Sequence, residues 1–274
     1  MYSIILNSNN RIDKTNTNAN DCEYNFDWHT VLKEEGKYKV TYSLSKFFIR
    51  PLTPFELLIS QKIPFGLWKA TNYNSTTQKI IDASPNGRDA ICGGVNLVTS
   101  AIGNLNSVPL QVLSSVDKLG NIVFPNNPLP THTICSVSRY SDPLIMGRLL
   151  TGFAFDNKNY GAWRGSSSTI YENNTEYCSK PRPNASLDWL SIVVSRNATI
   201  PNPNNIIIDG VPCGTNLISI TPSLQLCYNA YNDNSDRGAF EMALTIVWDV
   251  PLTQSELVLV SNAMSNYLAT GVLN

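Results

Sequence analysis

The chain has 274 residues, a formal net charge of -1 and no run of basic residues longer than two, so nothing in it offers a surface for nucleic acid. Hydrophobic residues make up 42%, enough for a real core, which excludes global disorder, and no apolar stretch approaches the roughly 18 residues that a membrane-spanning helix needs. Charged residues are only 15%, against roughly 25% in ordinary globular chains, so Asn, Ser and Thr must supply most of the polar surface.

The first segment, "MYSIILNSNNR", has a short apolar core and no basic leader, which is not the pattern of a secretory signal. "YSIIL" reads as a short strand and "NSNNRIDKTNTNAND" as a polar loop. "CEYNFDW" alternates, and "GKYKVTYSLSKFFI" alternates for longer, with Tyr38, Val40, Tyr42 and Leu44 on one face; Pro51 and Pro54 end it. Three such strands make a small sheet without a core of its own. The spacing therefore predicts a distinct N-terminal unit over residues 1–60 that packs on something else.

From residue 64 the pattern changes. "GLWKATNYNS", "KIIDASPNGRDAI", "THTICSVSRY", "GRLLTGFAFDN", "GAWRGSSSTIYEN", "LDWLSIVVSR", "NIIIDGVPCG", "LQLCYNAYN" and "AFEMALTIVWDV" follow one another as short strands separated by polar, Gly- or Pro-containing loops. That spacing predicts an all-β sandwich. In the last of them Phe240, Met242, Leu244, Ile246 and Trp248 share one face at period two. Asp82 is expected to bond nearby backbone amides in a turn.

The chain then closes on "VPLTQSELVLVSNAMSNYLATG". Thr253 and Glu256 have the spacing of a capping box, Leu252 and Leu257 that of a hydrophobic staple, and Gly271 suits the stop. Leu257, Val260, Met264 and Leu268 form an apolar stripe, with Ser261, Asn262 and Ser265 on the other side. A helix of this length needs packing to persist, so it is predicted to be a lid on the sandwich.

The six cysteines, Cys22, Cys92, Cys135, Cys178, Cys213 and Cys227, include no C-x-x-C pair. Without a signal peptide they are expected to be free buried thiols in a reducing cytosol. Sequons at Asn74, Asn173, Asn184 and Asn197 are what chance gives in so Asn- and Thr-rich a chain.

Few residues carry a chemical pattern. No strand holds the Glu-x-Asp-x-x-Glu spacing of sandwich glycosidases; Glu172 and Glu176, read on one strand, would stand about 13 Å apart, beyond the roughly 5–9.5 Å of either mechanism. Only His29 and His132 exist, with no Gly-x-Ser-x-Gly elbow, so no nucleophilic triad is expected. No catalytic residue is assigned. Asn232, Asn234 and Asp236 alternate as calcium ligands do, but the glycine is one place late and the twelfth position is Ala243; no cofactor is required, and these three are the calcium candidates. Trp163 and Arg164, in the Gly-flanked "NYGAWRG", with Tyr160, are the candidates for stacking on a sugar; Trp68, Trp189 and Trp248 read as core.

Taken together, Trp68, "IIDASPNGRDA", "GRLLTGF", "NYGAWRG", "LDWLSIVVSR", "NIIIDGVPCG" and "FEMALTIVWDVPLTQSEL", in that order, resemble the concanavalin A-like, laminin G-type jelly roll over residues 64–274, whose closing helix follows the last strand. The resemblance implies a fold more than a function. "IILNSNNR", "YNFDW" and "GKYKVTYSL" resemble the start of minor capsid proteins of large DNA viruses and virophages. That resemblance implies a non-enzymatic virion component made in the host cytoplasm, with residues 1–60 anchoring it to other capsid proteins, a homo-oligomer, and the sandwich outward. The alternative is a lectin-like module that binds a host-surface glycan.

Overall fold

The structure is a computed structural model that describes residues 3–4, 11–14, 22–30, 38–43, 46–127, 131–152, 158–163, 167–172, 175–181, 187–196, 205–213, 225–229 and 236–274, with side chains from Leu52 onward except for most of those between 158 and 181. The chain divides into two compact units, Met1–Lys62 and Ile63–Leu273.

The first unit is an antiparallel sheet of β1 (Ser3–Ile4), β2 (Arg11–Lys14), β3 (Cys22–Thr30), β4 (Tyr38–Ser43) and β5 (Lys46–Pro51), in the order β1-β4-β5-β3-β2. The sheet has five strands where the sequence predicts three. The long alternating stretch is not one strand: it folds back on itself, with Ser43 opposite Lys46 and Tyr42 opposite Phe47. Helix α1 (Pro54–Gln61) follows, and the sequence reading missed it. Thr53 caps it: Glu56 N–H donates to the Thr53 hydroxyl at 3.2 Å, and Thr53 N–H donates to the Glu56 carboxylate at 3.0 Å. Pro54 sits where a missing N–H costs nothing.

The second unit is built from β6 (Gly66–Lys69), β7 (Tyr73–Asn74), β8 (Lys79–Ile80), β9 (Ala90–Gly93), β10 (Asn96–Thr99), β11 (Gln111–Ser115), β12 (Asn121–Val123), β13 (His132–Tyr140), β14 (Leu150–Gly152), β15 (Lys158–Trp163), β16 (Ser167–Glu172), β17 (Thr175–Pro181), β18 (Leu190–Arg196), β19 (Ile206–Ile208), β20 (Val211–Pro212), β21 (Leu226–Tyr228), β22 (Phe240–Trp248) and α2 (Gln254–Thr270). Two antiparallel sheets face each other, as the all-β expectation requires. One has eight strands, β10-β11-β22-β13-β18-β19-β20, with β6 also on β22; the other has nine, β17-β16-β15-β14-β21-β12-β9-β8-β7. Their inner faces share one core. Trp68, Ile134, Ile192, Val194 and Met242 come from the first sheet, and Ile122, Leu150, Tyr160, Ile170 and Tyr228 from the second.

β22 is the central strand of its sheet. One edge pairs with β13; the other pairs first with β11 and then with β6. A bulge interrupts the β13 ladder: Val137 faces Leu244, but Ser138 faces Met242, so Ala243 is the extra residue. The five apolar residues predicted for one face are split by it. Phe240, Met242 and Val247 join the core between the sheets, whereas Leu244, Ile246 and Trp248 are equally buried but on the other face.

α2 covers part of the outer face of this sheet. It lies against β18 and β19. Leu257, Val260, Met264 and Leu268 are fully buried, and so are Ser261 and Ala263, which widens the buried stripe beyond the sequence expectation. The predicted cap is present: Glu256 N–H donates to the Thr253 hydroxyl at 3.4 Å, and Thr253 N–H to the Glu256 carboxylate at 2.7 Å. Gly271 ends the helix in the left-handed region at φ 73°. A hydroxyl latch fixes the approach to the helix. Leu252 N–H donates to Thr133 and Ser195 hydroxyls at 3.0 and 3.1 Å, and Thr133 donates to the Val250 carbonyl at 3.0 Å.

Cys178 and Cys213 form a disulfide, with Cα atoms 5.8 Å apart. The expectation of six free thiols is therefore wrong for this pair, and the inference of a reducing cytosol loses its premise. Cys178 lies on β17 and Cys213 directly follows β20, the edge strands of the two sheets, so the bond joins one sheet to the other at an open edge. It closes a loop of 35 residues, for which chain entropy gives about 3–4 kcal/mol. Reduction, or Cys213→Ser, is expected to lower stability by that amount in urea titrations. Equal midpoints for reduced and oxidised protein would show that the bond does not form. Cys92, Cys135 and Cys227 are buried and take no part in a disulfide. Burial pushes the Cys92 thiol up to about 12, against a small opposing effect of a hydrogen bond to the Ile80 backbone, and Cys135 well above its usual value, so both stay protonated at neutral pH.

Candidate functional site

The Asp-x-Ser-x-Asn-Gly motif is a structural clasp. Asp82 is buried and accepts from Leu67 N–H at 2.9 Å, Ser84 N–H at 2.8 Å, the Ser84 hydroxyl at 2.7 Å and Arg88 N–H at 3.0 Å. Asn86 donates to the Pro64 carbonyl at 2.7 Å, and Arg88 donates to the Phe65 carbonyl at 2.9 Å while lying 4.0 Å over the Phe65 ring. The Trp68 indole returns a hydrogen bond to the Arg88 carbonyl at 2.7 Å. These bonds fold the 82–89 loop on itself and fix it to the Pro64–Trp68 segment. The expectation for Asp82 holds.

A second knot sits where residues 142–148 meet Asn229 and residues 236–239. Arg148 and Asp236 form a buried ion pair at 3.0 Å, and Arg148 N–H donates to the Asp236 carbonyl at 2.7 Å. Gly147 packs so closely on Asp236 and Arg237 that a Cβ there would meet backbone at 2.3 Å. Tyr140 donates to the Gly147 carbonyl, and Gly238 N–H donates to Asn229 at 2.9 Å. Asp236, the calcium candidate that falls among the described residues, thus holds a guanidinium, which repels a divalent cation. Asn232 and Asn234 lie outside the described residues. Among the described residues no group of three or more His, Cys, Asp or Glu gathers to hold a metal.

Of the three sugar candidates, only Tyr160 has a described side chain. Tyr160 is fully buried and belongs to the core between the sheets, so it offers no surface to a ligand. On β15 Tyr160 pairs with Ile170 and Trp163 with Ser167. The Trp163 side chain and all of Arg164 lie outside the described residues. Trp68, Trp189 and Trp248 are all fully buried, as predicted. Glu172 and Glu176 do not share a strand: Glu172 ends β16 opposite Thr175, and Glu176 on β17 faces Tyr171, so the single-strand spacing does not apply. His132 is buried on β13, opposite Arg196 on β18. His29 lies on β3, and its side chain is outside the described residues.

Two broad sheet faces remain. The outer face of the eight-stranded sheet carries α2. On the outer face of the nine-stranded sheet, one cross-strand row runs Lys79, Ile91, Val123, Cys227, Thr151, Asn159. Its first part is open, with Ile91 61% exposed; Cys227, Thr151 and Asn159 are buried. The row is neutral apart from Lys79, whose ammonium is 3.8 Å from Asp89. The pocket lined by Phe65, Trp68, Phe124, Asn127 and Leu226 is too tight for a water molecule. The open part of this face is the Lys79–Ile91–Val123 end, whereas the Thr151 hydroxyl and the Asn159 amide are buried and bonded to Cys227 and the Gly161 carbonyl.

No family model matches the sequence. No curated protein matches it either. Solved structures do match in fold. Trypanosoma rangeli sialidase in complex with sialic acid is 9% identical with a TM-score of 0.52, over 100% of this chain and 45% of that one. The same sialidase in a second structure gives 10% and 0.51, over 91% and 43%. A structure of botulinum neurotoxin type C concerned with its interaction with two ganglioside molecules is 13% identical with a TM-score of 0.53, over 75% of this chain and 52% of that one. The chain thus spans about half the length of these proteins, and at such identities the likeness shows the β-sandwich fold alone.

Proposed function

We propose that the Ile63–Leu273 unit is a non-catalytic, carbohydrate-binding sandwich that meets its ligand on the outer face and rim of the nine-stranded sheet. The observation that carries this reading is the asymmetry of the two outer faces. α2 lies on β18 and β19 of the eight-stranded sheet, whereas the β8–β9–β12 part of the other sheet has an open outer face, with Ile91 61% exposed. Likeness in fold to a sialidase holding sialic acid and to a ganglioside-interacting toxin supports a sugar as the ligand class. Three of the described acids, Asp82, Asp236 and Glu241, are held by backbone amides or guanidinium groups, which fits a binding rather than a hydrolytic role. Trp163 and Arg164, at the end of β15, remain the proposed stacking and hydrogen-bonding pair. The virion role implied by the N-terminal resemblance, with its capsid partners, finds no support in these neighbours, and glycan binding takes its place as the main reading.

The test is a glycan array on the full chain, with sialylated and neutral oligosaccharides, followed by Trp163→Ala. Binding weakened about tenfold or more, roughly 1.4 kcal/mol, with an unchanged melting temperature is the expected result. Absence of binding to every glycan, or binding indifferent to Trp163, overturns the ligand class or the site respectively.

A further inference from the structure

The hairpin joining β7 to β8 carries the sequence Asn74-Ser75-Thr76, an acceptor sequon whose presence in so Asn-rich a chain means little by itself. Its geometry says more. Residues 75–78 make the turn, and Asn74 stands exposed at its start, on the edge strand of the nine-stranded sheet. The Asn74 Oδ1 accepts from Thr76 N–H at 3.0 Å and Thr77 N–H at 3.2 Å. Those two bonds hold the amide plane still and turn Nδ2 away from the backbone. Among the described residues Nδ2 of Asn74 donates to nothing. Asn72, Asn86, Asn104 and Asn121, in contrast, each donate from Nδ2 to a backbone carbonyl.

A second observation is independent of this one. The Cys178–Cys213 bond joins the two sheet edges, and an oxidised pair of this kind belongs to a chain that matures where thiols are oxidised. N-glycan transfer takes place in such compartments in eukaryotic cells. The sequon and the disulfide therefore point to the same history.

We infer that Asn74 is an N-glycosylation site, modified while the chain passes through an oxidising, glycan-transferring compartment. The donor is an oligosaccharide on a polyisoprenyl pyrophosphate. Asn74 Nδ2 attacks the anomeric carbon; the N–C bond forms, the bond from that carbon to the phosphate oxygen breaks, and the lipid pyrophosphate leaves with the electron pair. The amide nitrogen gives up one proton to a base of the transferase. The product glycan stands at an open sheet edge, where bulk and hydration block pairing with a second chain. This inference does not depend on the carbohydrate-binding reading: the one concerns a sugar attached at β7, the other a sugar bound elsewhere on the sheet.

The test sends the full chain through the secretory route of cultured eukaryotic cells behind a cleavable leader. Protein from the medium, or from the membrane-enclosed pool, is treated with peptide N-glycosidase in heavy-oxygen water and mapped by mass spectrometry. Asn74 is expected to carry the isotopic Asp tag. Thr76→Ala should abolish the tag at Asn74, whereas Thr77→Ala, outside the sequon, should keep it. The unreduced digest should contain the Cys178–Cys213 linked peptides. An untagged Asn74 in protein that carries the disulfide overturns the inference, and so does a tag that survives Thr76→Ala. The peptides of Asn173, Asn184 and Asn197 are separate and do not enter the reading.

Discussion

Removal of residues 251–274 is expected to unfold the sandwich. Leu257, Val260, Met264 and Leu268 are fully buried, and each contributes roughly 1.5–3 kcal/mol by area. Their sum, about 6–12 kcal/mol, equals the whole net stability of an ordinary domain. The loss is also not confined to the helix, because Val193 and Ile207, buried outside the inter-sheet core on β18 and β19 where the helix packs, are then left against water. Thermal melts of the truncated and full chains, with a dye that reports exposed apolar surface, read the effect directly. The truncated protein should bind dye and show no cooperative transition. Single changes grade the response: Met264→Ala should cost about 2–5 kcal/mol through its cavity, and Thr253→Ala only about 1 kcal/mol through its cap. A truncated chain that keeps the melting temperature of the full one would falsify the lid.

Asp82→Ala should be the most damaging single polar substitution in the second unit, at about 3–4 kcal/mol. The carboxylate satisfies three backbone N–H groups and one hydroxyl, and the Leu67 amide among them is buried and has no route to water. Removing the acceptor leaves those donors unpaired and releases the 82–89 loop, and with it the carbonyl that holds the Trp68 indole. Asp82→Asn keeps one carbonyl oxygen and should lose about half as much. The distinguishing measurement is chemical denaturation of both variants beside glycan binding by the folded fraction. Stability should fall while binding per folded molecule stays level. Unchanged stability with lost binding would make Asp82 a ligand residue and overturn the clasp.

The sequence states some of this plainly and hides the rest for identifiable reasons. The α2 helix is legible because its start, stripe and stop are all local: Thr253 with Glu256, the Leu257-to-Leu268 spacing, and Gly271. The closely similar start of α1, Pro51-Leu-Thr-Pro-Phe-Glu-Leu against Pro251-Leu-Thr-Gln-Ser-Glu-Leu, was equally local and was read only as the end of a strand. The strands β10, β11 and β12 were missed because they are three to five residues long and separated by loops of similar character. The fate of Leu244, Ile246 and Trp248 could not be read from alternation, since one extra residue within β22, Ala243, reverses every side chain beyond it. The Cys178–Cys213 bond depends on which strands become edges of two different sheets, a property of topology that no spacing reports. Of the candidate site, Tyr160 reads from its neighbours as a loop-side residue, whereas its strand turns it into the core between the sheets.

The central place of β22 has a consequence for how the protein is made. Residues 240–248 hold together β6, β11 and β13, whose chain positions begin at 66, 111 and 132. A ribosome delivers residues from the N-terminus onward, so those three strands emerge well before the strand that unites them. For that interval the apolar residues of β13 and β18 have each other but neither β22 nor α2, and the edge that β22 will occupy stands unpaired. Vectorial synthesis therefore forces the eight-stranded sheet to close after its last strand has cleared the exit tunnel, and the nascent chain must be kept from pairing with its neighbours on the polysome until then.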